Sequence, residues 1–177
     1  DVAKAMKRID RDLFADNYAD IYEGPEAWRN IRVDHSVCYP WEEESTYIRK
    51  PPFIRAPGEN LPEPDDVEGA RLLALLGDSI TTDHISPAGA IAPESPAGQY
   101  LKDHGVAVAD FNSYGARRGN HEVMMRGTFG NVRLQNLLTP DKRGGWSLHQ
   151  PDSKVQPLYD VAMRYQTEAV PMVVLAG

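Results

Sequence analysis

The chain has 177 residues, 41% hydrophobic and 25% charged, which excludes a wholly disordered polypeptide and fits one domain with an appendage better than two full domains. No run of residues approaches the length of apolar sequence that crosses a bilayer, and the opening Asp1-Val2-Ala3-Lys4 lacks a signal peptide's apolar core. The net charge of −7 disfavours indiscriminate binding to nucleic acid or anionic membranes.

In chain order, Val2, Met6, Ile9, Leu13 and Ile21 recur at near-helical spacing among charged neighbours, predicting one amphipathic helix that ends before Gly24-Pro25. From there to Asp66 the chain is rich in proline, acids and aromatics. Pro51-Pro52, Pro57-Gly58, Pro62 and Pro64 block any long regular element, so this tract reads as a linker lying along another surface. Ala70–Leu76 is a short apolar run closed by Gly77-Asp78 and predicts a buried strand. Ser95-Pro96 opens a short helix that Gly105 can end, and a second runs from Asn120 to Arg126 before Gly127. A polar, hairpin-like stretch surrounds Arg143-Gly144-Gly145. Pro157 then opens a helix whose Leu158, Val161, Ala162 and Tyr165 share one face. Met172–Gly177 reads as another buried strand. Strands alternating with helices define an α/β domain with some parallel pairing.

Four features carry candidate chemistry. Gly77-Asp78-Ser79 follows a strand, where reactive groups gather in α/β proteins. A serine hydrolase would also need a histidine and its orienting acid, commonly as Asp-x-x-His, and none of the five histidines has Asp three residues before it. Thr81-Thr82-Asp83-His84 reads as a metal site, an acid/base pair or a hydrogen-bonded loop; zinc alone would require three protein ligands, which the segment does not supply. Asn112–Asn120 combines glycines with Arg117 and Arg118, either an anion cradle or a turn with solvated arginines. Arg126 precedes a glycine and an aromatic rather than sitting in a charged run, the setting of a buried, paired arginine. Ser113–Arg133 carries +3 against −10 for the remainder, a basic island suited to an anionic ligand. Cys38 is the only cysteine, so the chain can form no internal disulfide and assemble no cysteine-ligated cluster; a reducing compartment is compatible.

Taken together, Gly77-Asp78-Ser79-Ile80-Thr81-Thr82-Asp83-His84-Ile85-Ser86-Pro87-Ala88-Gly89, then Asp110-Phe111-Asn112-Ser113-Tyr114-Gly115 with Arg117-Arg118-Gly119-Asn120, then Arg126-Gly127-Thr128-Phe129 resemble the aconitase family, in its bacterial aconitase A and iron-regulatory-protein branch. The resemblance extends from about Ser45 to the last residue. It implies an aconitase-type swivelling β/β/α domain over residues 67–177, incomplete, with residues 1–66 forming the end of a preceding domain and a proline-rich linker. It implies interconversion of citrate and isocitrate through cis-aconitate, with the open iron of a 4Fe-4S cluster acting on substrate; the cluster's ligands would lie in other aconitase domains, not in this chain. Arg126 matches the family's substrate-binding arginine, and Asp83 and His84 match positions near it with a supporting role. The catalytic serine and a further arginine belong to a Gly-Ser-Ser-Arg motif expected beyond Gly177, so no catalytic or metal-binding residue is assigned here and the chain alone is expected to be inactive. The expected location is cytoplasmic. The neighbouring enzyme reading is a hydro-lyase of 2-methylcitrate or homocitrate type. The binding alternative is RNA, with Arg117, Arg118 and Arg133 on phosphates.

Overall fold

A computed structural model describes residues 2–7, 9–19, 21–33, 35–54 and 66–177. The sequence readings at Pro57-Gly58, Pro62 and Pro64 lie outside these residues. The chain divides into two compact units, Asp1–Pro40 and Trp41–Gly177.

The first unit contains helices α1 (Val2–Met6), α2 (Arg11–Tyr18) and α3 (Glu26–Arg29). The single helix predicted over the opening residues is therefore broken. Asp10 supplies the reason: its backbone is extended, and its carboxylate accepts the Leu13 amide at 2.8 Å, which caps a new helix at Arg11. Neither α2 nor α3 buries a side chain. Leu13, Phe14, Tyr18 and Trp28 are all exposed.

In the second unit, strand β1 (Arg71–Leu75) pairs in parallel with β4 (Met172–Leu175), and β2 (Trp146–His149) pairs antiparallel with β3 (Lys154–Pro157). The fold is thus mixed α/β with one small sheet of each kind, as expected. A bulge in β1 between Leu72 and Ala74 releases the Leu73 carbonyl from the parallel ladder. Side chains take it instead: Ser147 Oγ donates at 2.6 Å and Asn136 Nδ2 at 3.4 Å. Asn136 also accepts the Leu75 amide and donates to the Trp146 carbonyl, so one buried amide staples β1 to β2. The hairpin does not turn at Gly144-Gly145, where the sequence suggested it. Those glycines pack against the backbone around Gly130 and lead into β2, and the reversal follows His149. Its inward positions, Ser147 and His149, are polar, so the alternation that marks a strand is inverted.

The remaining α-helices of the described residues are α4 (Thr82–Ile85), α5 (Pro96–Asp103), α6 (His121–Arg126) and α7 (Leu158–Thr167), with one 3-10 turn at Val108–Asp110. Ser95 caps α5 through the Gly98 amide, and Gly105 follows it at φ +74°. Asn120 caps α6 through the Glu122 amide. Two apolar clusters form the core. Ile91, Ala97, Tyr100, Leu101, Phe111, Tyr114 and Val123 pack around α5 and α6. Leu73, Ala74, Leu76, Leu158, Val161 and Tyr165 pack between β1 and α7. The predicted burial of the last strand is only partial: Met172 and Val173 are half-buried, while Leu175 is 53% exposed.

Arg117 corrects the reading of its tract as solvated. Its side chain is 1% exposed. Nε donates to the Phe111 carbonyl at 2.7 Å, Nη2 to that of Asp110, and Nη1 to both the carbonyl and hydroxyl of Thr46. The Tyr47 ring covers the guanidinium at 4.0 Å. Arg49 continues this attachment, its amide donating to the Gly119 carbonyl. A Cβ on Gly119 would meet the Tyr47 carbonyl at 3.1 Å, so glycine permits the approach. Residues 45–49 thus lie as a strap on the domain. Arg118 is exposed.

Candidate functional site

A cleft of about 490 Å³ is lined by members of both core clusters, Tyr114 and Leu158. It is bordered by the N-terminus of α5, the C-terminus of α6, Gly144-Gly145 and the start of α7, and among its walls are Tyr114, Arg126, Thr128, Arg143, Trp146 and Tyr159.

Arg126 reaches this cleft because α6 is short and sharply bounded. Asn120 fixes the first turn, and Gly127 ends the helix where the Tyr114 ring closes over it; a Cβ there would stand 2.6 Å from that ring. Four residues back, Glu122 faces Arg126 on the same side of the helix. Nη1 of Arg126 donates to the Glu122 carboxylate and, at 2.8 Å, to its carbonyl. The guanidinium carbon lies 4.5 Å from the Tyr100 ring and 4.7 Å from the Tyr159 ring. Each such contact contributes about 0.5–2 kcal/mol, increasing as water is excluded. The side chain is 17% exposed. Among the described residues no acceptor engages Nε or Nη2, so part of a rigid, permanently charged fork faces the cleft.

The surrounding charges respond to this cation. Partial burial works to raise the Glu122 carboxyl, but the hydrogen bond and charge of Arg126, with His121 and Arg49 behind it, prevail and hold it below its ordinary value. Burial raises the Asp160 carboxyl and the Tyr159 phenol, in both cases against the pull of Arg126. Burial also raises the Tyr114 phenol, opposed by its hydrogen bond with Ser95.

Asp83 and His84 lie on α4, and neither is among the cleft's lining residues. His84 Nδ1 accepts the Thr81 amide at 3.1 Å, closing a capping box around this single turn. The Asp83 carbonyl accepts from Asn131 at 3.4 Å; its exposed carboxylate forms no ion pair among the described residues. The acid that orients Arg126 in the structure is Glu122. That residue was missed in the sequence although its i, i+4 spacing signals the pair. Tyr100 and Tyr159 gave no comparable signal, because aromatics on an apolar helix face read as core.

Among the described residues no cluster of histidine, cysteine and carboxylate side chains could hold a metal ion. The donor set does not suit an iron–sulfur cluster either, since Cys38 is the sole cysteine and is exposed. No helix among them is long and apolar enough to cross a membrane.

The arrangement defines a mixed α/β domain whose cleft presents a clamped arginine, and residues 97–177 match the family model described as the aconitase C-terminal domain. Over 177 residues the chain is 51% identical to aconitate hydratase A of Escherichia coli K12 and to that of Pseudomonas aeruginosa, covering 100% of this chain and 20% of each relative. It is 52% identical over 171 residues to aconitate hydratase A of Thermus thermophilus, covering 97% of this chain and 19% of that protein. Over its whole length the chain is thus similar to members of the aconitase family, and residues 97–177 carry that family's C-terminal domain match. It spans about one fifth of the length of these curated relatives.

Proposed function

We propose that this chain is part of an aconitate hydratase that interconverts citrate and isocitrate through cis-aconitate, and that Arg126 binds a substrate carboxylate. The observation that carries this reading is the clamped guanidinium: two rings and Glu122 fix it, while Nε and Nη2 stay free to meet a carboxylate. A tricarboxylate at neutral pH requires fixed cations, and arginine supplies planar, two-point recognition without losing its proton. Arg143, exposed and lining the same cleft, adds positive charge at its wall.

In this reading residues 67–177 are the swivelling domain, and residues 1–66 comprise the end of a preceding domain and the linker. The cluster, the catalytic serine and the remaining substrate cations are contributed by other parts of a longer, cytoplasmic protein. Asp83 and His84 support the site by shaping the loop that precedes it. Arg117, one of three arginines invoked for RNA contact, has all three guanidinium nitrogens committed to protein acceptors, which favours the enzyme reading.

The test is substrate turnover by the full-length protein with its cluster reconstituted. Citrate and isocitrate should each yield cis-aconitate, and 2-methylcitrate and homocitrate should react far more slowly. Preference for either of these alternatives would reassign the substrate, and inertness toward all four would overturn the proposal.

A further inference from the structure

Arg126 owes one of its two stacking partners to a residue far from it in sequence. The Tyr100 ring lies 4.5 Å from the guanidinium carbon, and the Tyr100 hydroxyl accepts a hydrogen bond from Arg49 Nη1 at 2.9 Å. The body of Tyr100 is set in the apolar cluster around α5, so Arg49 holds the free end of the ring. Arg49 is itself half-buried and anchored: its amide donates to Gly119, and three residues earlier Thr46 is gripped by Arg117. Its charge also acts on Glu122, the carboxylate that holds Arg126 from the other side. One strap residue therefore contacts one support of the cleft's arginine, the Tyr100 ring, and acts on the other, the Glu122 carboxylate, through its charge. Among the described residues no comparable link to Arg126 is formed by Lys50, next to the strap, or by the arginines of the Asn112–Asn120 tract: Arg117 is turned to backbone carbonyls and Thr46, and Lys50 and Arg118 are exposed.

The geometry points to Arg49 as a positioning residue for Arg126: by holding the Tyr100 hydroxyl it fixes the ring against the guanidinium, which makes the strap part of the anion clamp. This rests on the reading of Arg126 as the substrate cation. A guanidinium free to rock between two rings still attracts a carboxylate but loses the angular fit of paired donors, so the loss falls mainly on substrate affinity.

The test uses the full-length protein with its cluster in place. Arg49→Met and Tyr100→Phe are compared alone and in an Arg126→Lys background, with Arg49→Lys as the conservative variant. Each of the first two should raise KM for citrate about fivefold while kcat changes by less than about twofold, and Arg49→Lys, which can still donate to the phenol, should recover most of the loss. In the Arg126→Lys background neither should add more than about twofold, because the group being positioned is gone. Equal effects in both backgrounds would reduce Arg49 to a general stabiliser and overturn the proposal. So would wild-type KM in Tyr100→Phe, a variant that removes one oxygen and decides the matter even where Arg49→Met fails to fold. If Arg126→Lys is itself silent, the reading of the site fails; if it is impaired while Tyr100→Phe and Arg49→Met are not, only the role of Arg49 fails.

Discussion

Two arginines of one basic tract meet opposite fates, decided by what surrounds them. Arg117 spends its three nitrogens on carbonyl and hydroxyl oxygens of the domain and its strap, and Arg126 commits only Nη1 to protein. Arg117→Met should therefore act on stability: four acceptors lose their donors at a buried site, and unfolding should become easier by about 3 kcal/mol, measurable by denaturant titration. Glu122 acts on the clamp. Its folded-state pKa lies below the ordinary value, so its contribution is fully present above the unfolded carboxylate range and is lost as pH falls through the folded value. The thermal midpoint of Glu122→Gln should accordingly fall short of wild type most at neutral pH, and the gap should close on acidification. A gap that widens in acid would contradict the pairing.

At the scale of elements, the hairpin and α7 are joined by polar links as well as by ring packing. His149 is buried, with Nδ1 2.8 Å from Asp152 and Nε2 3.3 Å from Glu168, and its ring packs on Tyr165. Asp152 is also held by Arg164, and the hydrogen bonds from Arg164 and His149 keep its carboxyl well below the usual range. His149→Phe keeps the ring but removes both polar links, so it should destabilise the domain by about 2 kcal/mol in thermal unfolding while leaving substrate KM unchanged. This region also marks where the sequence stops being readable. Caps and apolar faces revealed α5, α6, α7 and β1, since each is written in neighbouring residues. The hairpin was displaced because its inward residues are Ser147 and His149, which no hydrophobic pattern identifies. Arg117 was misread because burial depends on Thr46 and Tyr47, about 70 residues away. Arg126 stood out through its glycine and aromatic neighbours, but the rings that grip it come from two other helices.

The whole molecule consists of two units with different internal support. Among the described residues of Asp1–Pro40 none is buried, whereas Trp41–Gly177 holds both apolar clusters and the cleft. Removal of residues 1–40 should leave the thermal midpoint of the remaining domain within a few degrees, because no core side chain is lost; a large fall would show that the first unit stabilises the second. Removal of residues 1–50 should be far more damaging, since it takes away the strap that satisfies Arg117 and steadies Tyr100.

Whether the clamped Arg126 binds a tricarboxylate is decided by the steady-state kinetics of Arg126→Lys in the full-length, cluster-loaded protein. Lysine keeps the charge but cannot fill the space between Tyr100 and Tyr159 with a planar fork. In this variant kcat/KM for citrate should fall about 100-fold, close to 2.7 kcal/mol, with the cluster's spectrum unchanged. Wild-type kinetics in a variant with an intact cluster would contradict it.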